Sequence, residues 1–133
     1  MAPNTGVSAT EIGYGVVQVL RKKITFADAN TAVVVGKMPA YSHVVGGGIH
    51  VTTVFAGGTP TAGIGFIGNT TNAVGYASAL VTTAIGFIAI DDLATTSNIM
   101  QTVETTVTCT PATGATSGEA YVIVMFTTSY PQA

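Results

Sequence analysis

Short runs rich in threonine, valine and isoleucine alternate with glycine-containing turns along this chain. These β-branched residues favour pleated, half-buried surfaces, and sixteen glycines in 133 residues work against any long helix. Several short strands separated by turn signals are typical of a sandwich or a barrel. The sequence therefore predicts an all-β fold, a single jelly-roll-like β-sandwich of seven or eight strands with little helix.

The chain divides into an arm and one domain. A length of 133 residues is typical of a single domain. Residues 1–14 lack periodicity, which predicts an extended N-terminal arm, and residues 15–130 are expected to form the sandwich. The N-terminus does not resemble a secretory signal, and the longest apolar stretch, residues 84–90, is too short to span a membrane. We therefore expect no membrane partner.

Local patterns predict the elements of the sandwich. The basic run at residues 21–23 interrupts two short apolar stretches and predicts a break between two strands. Three consecutive glycines at residues 46–48 predict a loop or a strong bulge. Residues 73–81 have apolar positions at helical spacing, which predicts one or two helical turns.

The C-terminal part contains the two clearest strand patterns. Residues 99–110 alternate between two faces, and residues 120–126 are almost continuously apolar. A continuous apolar run fits a central strand covered on both faces, or a strand with a face used for assembly. We expect the two strands to form a hairpin across residues 111–118.

Charge is scarce, since charged residues make up 8% of the chain where about a quarter is usual. A low charge content reduces the electrostatic repulsion that normally keeps protein molecules apart. This composition favours a protein that functions within an assembly. The formal net charge of −2 disfavours a nucleic-acid partner.

No group of residues predicts catalysis, a cofactor or a metal. A zinc site needs three or four ligands, and the odd spacing of His43 and His50 places them on opposite faces of an uninterrupted strand, although a bulge would alter this. Cys109 has no neighbouring base to activate it. Asp91 and Asp92 are adjacent, and adjacent strand residues point apart, so they form a poor catalytic pair. We expect no enzyme.

Polar turns and apolar strands follow one another in an order that resembles a known family. The similarity lies in ITFADAN at residues 24–30, VVVGKMPA at 33–40, HVV at 43–45, IHVTTVF at 49–55, IGFIG at 64–68, the polar segment 69–80 and EAYVIV at 119–124. Together these segments resemble the small decoration, or cement, proteins of tailed-bacteriophage capsids, over residues 24–126.

The resemblance implies a non-enzymatic virion protein that is made in the host cytoplasm, binds the outside of a phage head and stabilises the shell. It also implies the major capsid protein as partner and a homotrimer as the assembled form. The alternative is a phage fibre or head-spike module that binds a receptor or a carbohydrate. That class is expected to show exposed aromatic residues near acids or amides, whereas this chain has no tryptophan.

The candidate partner contacts are Tyr14 in the arm and the run Arg21, Lys22 and Lys23, which holds three of the four basic residues. One interpretation of the run is a solvated edge, because lysines discourage pairing between sheet edges. The other is contact with acidic side chains of a neighbour in an assembly. The sequence leaves both interpretations open.

Overall fold

Eight strands build the protein in a computed structural model that describes residues 17–58, 60–92, 101–112 and 115–128. The strands are β1 (Gln18–Thr25), β2 (Val33–Met38), β3 (Ser42–Ala56), β4 (Thr61–Ile67), β5 (Thr71–Val81), β6 (Gly86–Ala89), β7 (Thr105–Pro111) and β8 (Ser117–Thr128). A 3₁₀ turn, Phe26–Asp28, connects β1 to β2. Within the described ranges, no helix could span a membrane. The all-β prediction is confirmed.

The strands form two antiparallel sheets of four, in the orders β1-β8-β3-β6 and β2-β7-β4-β5. The chain changes sheet at most connections, so strands that are neighbours in a sheet are mostly distant in sequence. Two four-stranded sheets with this strand order constitute a jelly roll. The predicted jelly-roll sandwich is therefore confirmed.

The core lies between the two sheets and follows strand alternation. In β8, Val122, Val124 and Phe126 are buried, while the residues between them are half-buried. Ile64 and Phe66 of β4 face them from the other sheet. β8 lies between β1 and β3, so the central position predicted for the apolar run 120–126 is correct.

The basic run does not break a strand. β1 passes through residues 21–23 without interruption and pairs with β8 from Gln18 to Thr25. Arg21 and Lys23 alternate with Lys22, so a strand accommodates all three without burying any of them. The predicted break is wrong because pairing with β8 outweighs the low strand preference of the basic residues.

Residues 73–81 are not helical but belong to β5. β5 pairs with β4, and Ile64 lies opposite Ala77 whereas Phe66 lies opposite Asn72. Between those pairs β4 has one residue and β5 has four, which is a large bulge. Tertiary pairing overrides the helical spacing of these small residues.

The predicted hairpin between the last two strands is also wrong. β7 pairs with β2 and β4, whereas β8 pairs with β1 and β3 in the other sheet. β7 begins at Thr105 rather than near residue 99. Just before it, Asn69 Oδ1 accepts hydrogen bonds from the backbone nitrogen and the hydroxyl of Thr102, at 2.9 and 2.8 Å. These hydrogen bonds fix Thr102 in the loop that precedes β7.

The three glycines form a bulge within a continuous β3, which is one of the two predicted outcomes. The register with β8 shifts between Val44 and Gly46. Gly47 has φ +130°, and a Cβ there would lie 2.2 Å from the carbonyl oxygen of Ile123. The shift brings both His43 and His50 to exposed positions, so the odd spacing does not send one of them into the core.

The arm predicted at residues 1–14 and the chain beyond residue 128 lie outside the described residues. The described strands all fall within the domain predicted at residues 15–130. The division into arm and domain stays a prediction.

Candidate interaction surface

One outward sheet face carries two of the four candidate contact residues, Arg21 and Lys23, and we call it the 1-8-3-6 face after its strand order. It consists of Val19, Arg21 and Lys23 on β1, Tyr121, Ile123 and Met125 on β8, His50 on β3 and Phe87 on β6. Strand register aligns four of these residues in a row across the sheet, namely Lys23, Tyr121, His50 and Phe87.

Large apolar side chains are exposed on the 1-8-3-6 face. Val19 and Phe87 are 56% and 55% exposed. Ile123 and Met125 between them are half-buried. A Cβ at Gly46 would lie 3.0 Å from Met125 Cε, so the glycine leaves room for that side chain on the face. Exposed apolar side chains of this kind make the face a candidate site of association.

The outward face of the second sheet has a different chemistry. On its central strand β7, Thr106 and Thr110 are half-buried, and Thr108 between them is buried. On β4, a Cβ at Gly65 would lie 2.0 Å from the carbonyl oxygen of Asn72, so β5 packs directly on that strand. The face of the second sheet is therefore polar along β7 and covered along β4, while its outer strands β2 and β5 expose the apolar side chains of Val34, Val74 and Val81.

Two of the basic side chains on the 1-8-3-6 face are held by β8. Arg21 Cζ lies 4.3 Å from the centroid of the Tyr121 ring. Lys23 Nζ forms an ion pair with Glu119, and its hydrogen bond to that carboxylate raises the pKa of Lys23 above 10.5. Contacts within the sheet therefore hold both cations in place on the surface.

Lys22 occupies a different place. It alternates with Arg21 and Lys23 and so shares its side of β1 with Leu20 and Ile24, yet its side chain is exposed. The lysine therefore leaves the sandwich at the edge formed by β1. An inward-pointing charge on an edge strand prevents another sheet from pairing with it, which agrees with the solvated-edge interpretation.

The structure thus separates the predicted contact residues. Arg21 and Lys23 lie on the 1-8-3-6 face, Lys22 lies at its edge, and Tyr14 lies outside the described residues. Sequence reasoning missed His50 and Phe87 as members of the same surface. Alternation along each strand indicates which residues share a side, but only the strand order brings β6 and β3 next to β8.

The residues considered for catalysis do not come together in the described part of the chain. Cys109 is buried, and burial, with a smaller contribution from Asp28, raises the pKa of its thiol to about 12. A thiol with that pKa is protonated at neutral pH and a poor nucleophile. The described residues include no group of three or more histidine, cysteine, aspartate or glutamate side chains that could hold a metal ion.

Three solved structures share this fold. A chain in the capsid asymmetric unit of cyanophage Pam1 has a TM-score of 0.66 and 20% identity, and the alignment covers 97% of both chains. A chain in the capsid of Ralstonia phage GP4 has a TM-score of 0.65 and 20% identity, with 88% and 87% covered. A chain in the acid-stable capsid of Helicobacter pylori bacteriophage KHP30 has a TM-score of 0.65 and 13% identity, with 84% and 87% covered.

No protein-family model and no curated protein sequence matches the chain. At 20% identity or less, the three structures establish a common fold. The described strands therefore define an eight-stranded jelly roll of the kind found in chains of phage capsids.

Proposed function

We propose that this protein is a non-enzymatic structural component of a phage virion, and specifically a decoration protein that binds the outside of the head and stabilises the shell. The observation that carries the proposal is the similarity of the fold, over 97% of both chains, to a chain of a phage capsid. The major capsid protein is the proposed partner, and a homotrimer is the proposed assembled form.

The 1-8-3-6 face supports binding to a shell. It combines exposed Val19 and Phe87 with half-buried Ile123 and Met125, and it carries Arg21 and Lys23 in fixed positions. Exposed ion pairs contribute only about 0–1 kcal/mol each, so the apolar area must supply most of the affinity. The cations then set orientation and select an acidic partner surface.

The N-terminal segment is the second proposed contact. Residues 1–14 are proposed to extend from β1, which borders the 1-8-3-6 face, onto the shell, with Tyr14 at the junction. A segment that folds on binding can wrap a large surface. Several copies in one assembly would multiply the effect of each weak contact.

The location and copy number of the protein in purified particles test the proposal. We expect a fixed number of copies on the outside of the head, accessible to an antibody. Particles without the protein are expected to burst at a lower temperature than particles that carry it.

Deletion of residues 1–13 is expected to leave a folded domain that loads poorly. Absence of the intact protein from particles would overturn the virion role, and full loading of the truncated form would remove the arm as an anchor.

Two matched substitutions test the face itself. Ile123→Glu places a carboxylate at a half-buried position of the central strand β8 on the 1-8-3-6 face. Thr106→Glu places the same group at a half-buried position of the central strand β7 on the opposite outward face. With both variants folded by circular dichroism, we expect Ile123→Glu to lose loading and Thr106→Glu to keep it. Equal loading would exclude this face as the shell contact.

A further inference from the structure

Both histidines of the chain lie on the same side of β3. His43 and His50 are seven positions apart, and an odd separation sends two side chains to opposite sides of a regular strand. The bulge at residues 44–46 inserts one extra residue, which restores an even number of paired steps between them. Their direct partners on β8 are Thr127 and Tyr121, which also share one side of their strand. The bulge therefore brings both imidazoles to the side of the 1-8-3-6 face.

His50 stands in the middle of this face and is exposed. Tyr121 of β8 lies directly opposite it on one side, and Phe87 of β6 on the other. The ionisable groups on the side of β8 are Tyr121 itself, Glu119, which is the diagonal neighbour of His50, and Lys23, which is paired with Glu119. β6 has no ionisable side chain. An exposed imidazole thus lies between two aromatic rings, beside a carboxylate that already has a partner.

His43 adds a further row to the same face, at the end where β3 begins. It is exposed and lies opposite Thr127 of β8. From the side of β6, the ionisable groups are the aspartates at residues 91–92, which follow that strand. The backbone nitrogen of Ile90 still donates to the carbonyl oxygen of Gly47, at 2.9 Å, so the chain runs beside β3 up to this point. His43 is therefore at a corner of the face, on the side where these acids begin.

Acidification changes the charge of the face through these two residues. Imidazole side chains take up a proton between about pH 8 and pH 5, whereas guanidinium, ammonium and carboxylate groups largely keep their charges over that range. Arg21, Lys23 and Glu119 belong to the second kind. His43 and His50 belong to the first, so each adds a positive charge to the face in mild acid.

We propose that His43 and His50 make binding through the 1-8-3-6 face depend on pH, so that the protein binds a carboxylate-bearing shell surface more tightly as pH falls from about 8 to about 5. The inference rests on the proposed function, since the shell is the partner. Arg21 and Lys23 on the same face select carboxylates. A carboxylate opposite a histidine favours the protonated imidazole, so the complex holds more protons than the separated partners and is favoured at low pH.

Loading onto particles that lack the protein tests the proposal. The dissociation constant is measured at pH 7.5 and pH 5.5 at one ionic strength, and circular dichroism at both pH values confirms that each variant is folded. Exposed ion pairs contribute little individually, so two of them are expected to lower the dissociation constant about five-fold at pH 5.5. His43→Gln and His50→Gln are each expected to leave a response of about two-fold, and the double variant none.

A histidine on the other sheet provides the matched control. Thr106→His, added to the double variant, places an imidazole at a half-buried position on the central strand β7 of the opposite outward face. This variant gains a proton in acid like the wild type, but away from the shell contact, so the response is expected to stay absent. A restored response would assign the effect to overall charge and overturn the proposal.

The remaining outcomes separate this inference from the proposed function. Wild-type loading that is equal at the two pH values, or weaker at pH 5.5, would overturn the inference and leave the virion role intact. A double variant that keeps the full response would do the same, because the titrating groups would then belong to the shell. Failure of the wild type to load at either pH would remove the proposed function and this inference with it.

Discussion

The guanidinium of Arg21 lies over the ring of Tyr121, with 4.3 Å between Cζ and the ring centroid. The two residues are diagonal neighbours on adjacent antiparallel strands, because Arg21 is opposite Ile123 and Tyr121 is opposite Lys23. A long cation and an aromatic ring can reach each other at that separation. The pair positions a positive charge on the 1-8-3-6 face without a carboxylate.

A double-mutant cycle measures this contact. We expect Arg21→Gln and Tyr121→Leu to show a coupling free energy of about 0.5–1 kcal/mol when unfolding is followed in denaturant at constant protein concentration. Arg21→Lys is expected to recover part of the coupling, since the charge is kept. A coupling of zero would show that the two side chains do not interact in solution.

Close packing of β5 on β4 predicts that alanine substitution destabilises the protein much more at one glycine than at another. A Cβ at Gly65 would lie 2.0 Å from the backbone oxygen of Asn72, whereas at Gly46 its nearest neighbour is the flexible end of Met125 at 3.0 Å. We expect Gly65→Ala to lower the free energy of unfolding by about 3 kcal/mol and Gly46→Ala by less than about 1 kcal/mol. Similar losses at both positions would contradict the packing described for β5.

The hydroxyl of Tyr76 predicts a stabilising substitution. Tyr76 is fully buried beside Phe66, and its oxygen has no hydrogen-bond partner in the described part of the chain. Burial raises the pKa of this hydroxyl. An unsatisfied buried polar group costs about 1–3 kcal/mol, so Tyr76→Phe is expected to raise the free energy of unfolding by about 1 kcal/mol.

Tyr121→Phe is the matched control. Because Tyr121 is half-buried on a surface, this substitution is expected to change the free energy of unfolding of the protein little. A loss of stability in Tyr76→Phe would show that the hydroxyl is hydrogen-bonded in the folded protein.

The thiol of Cys109 predicts a dependence of stability on alkaline pH. Burial raises its pKa from 9.0 to about 12, so the folded protein keeps a proton that the unfolded chain loses. The free energy of unfolding is therefore expected to fall as pH rises from about 9 towards 12, and to be unaffected by this group below that range. Thermal unfolding at a series of pH values measures the slope.

Cys109→Ala is expected to reduce the alkaline slope, while Lys23 and Tyr76, whose pKa values are also raised, act in the same direction and remain. In the native protein, a thiol reagent is expected to react with Cys109 only after unfolding. Rapid reaction of the folded chain would contradict the burial of the thiol.

Strand content and several strand positions follow from the sequence alone. The alternation of threonine and valine, and the apolar run now seen as β8, reflect the two-residue period of a strand, which is a local property. The same period indicates that Arg21 and Lys23 share a side. The low charge content indicated association, and the scarcity of histidine and cysteine weakened any catalytic interpretation.

Only the tertiary structure determined which strands are neighbours. β7 and β8 are adjacent in sequence and look like a hairpin, yet they belong to different sheets, because the core is filled when each covers the other across the sandwich. β5 forms a strand because Gly63 and Gly65 of β4 allow the backbone of β5 to approach β4 closely. The sequence of β5 alone, with its helical spacing of apolar residues, does not indicate this contact. Val19 and Phe87 likewise lie on one surface only because the strand order is β1-β8-β3-β6. The periodicity within a strand does not indicate which strand pairs with it.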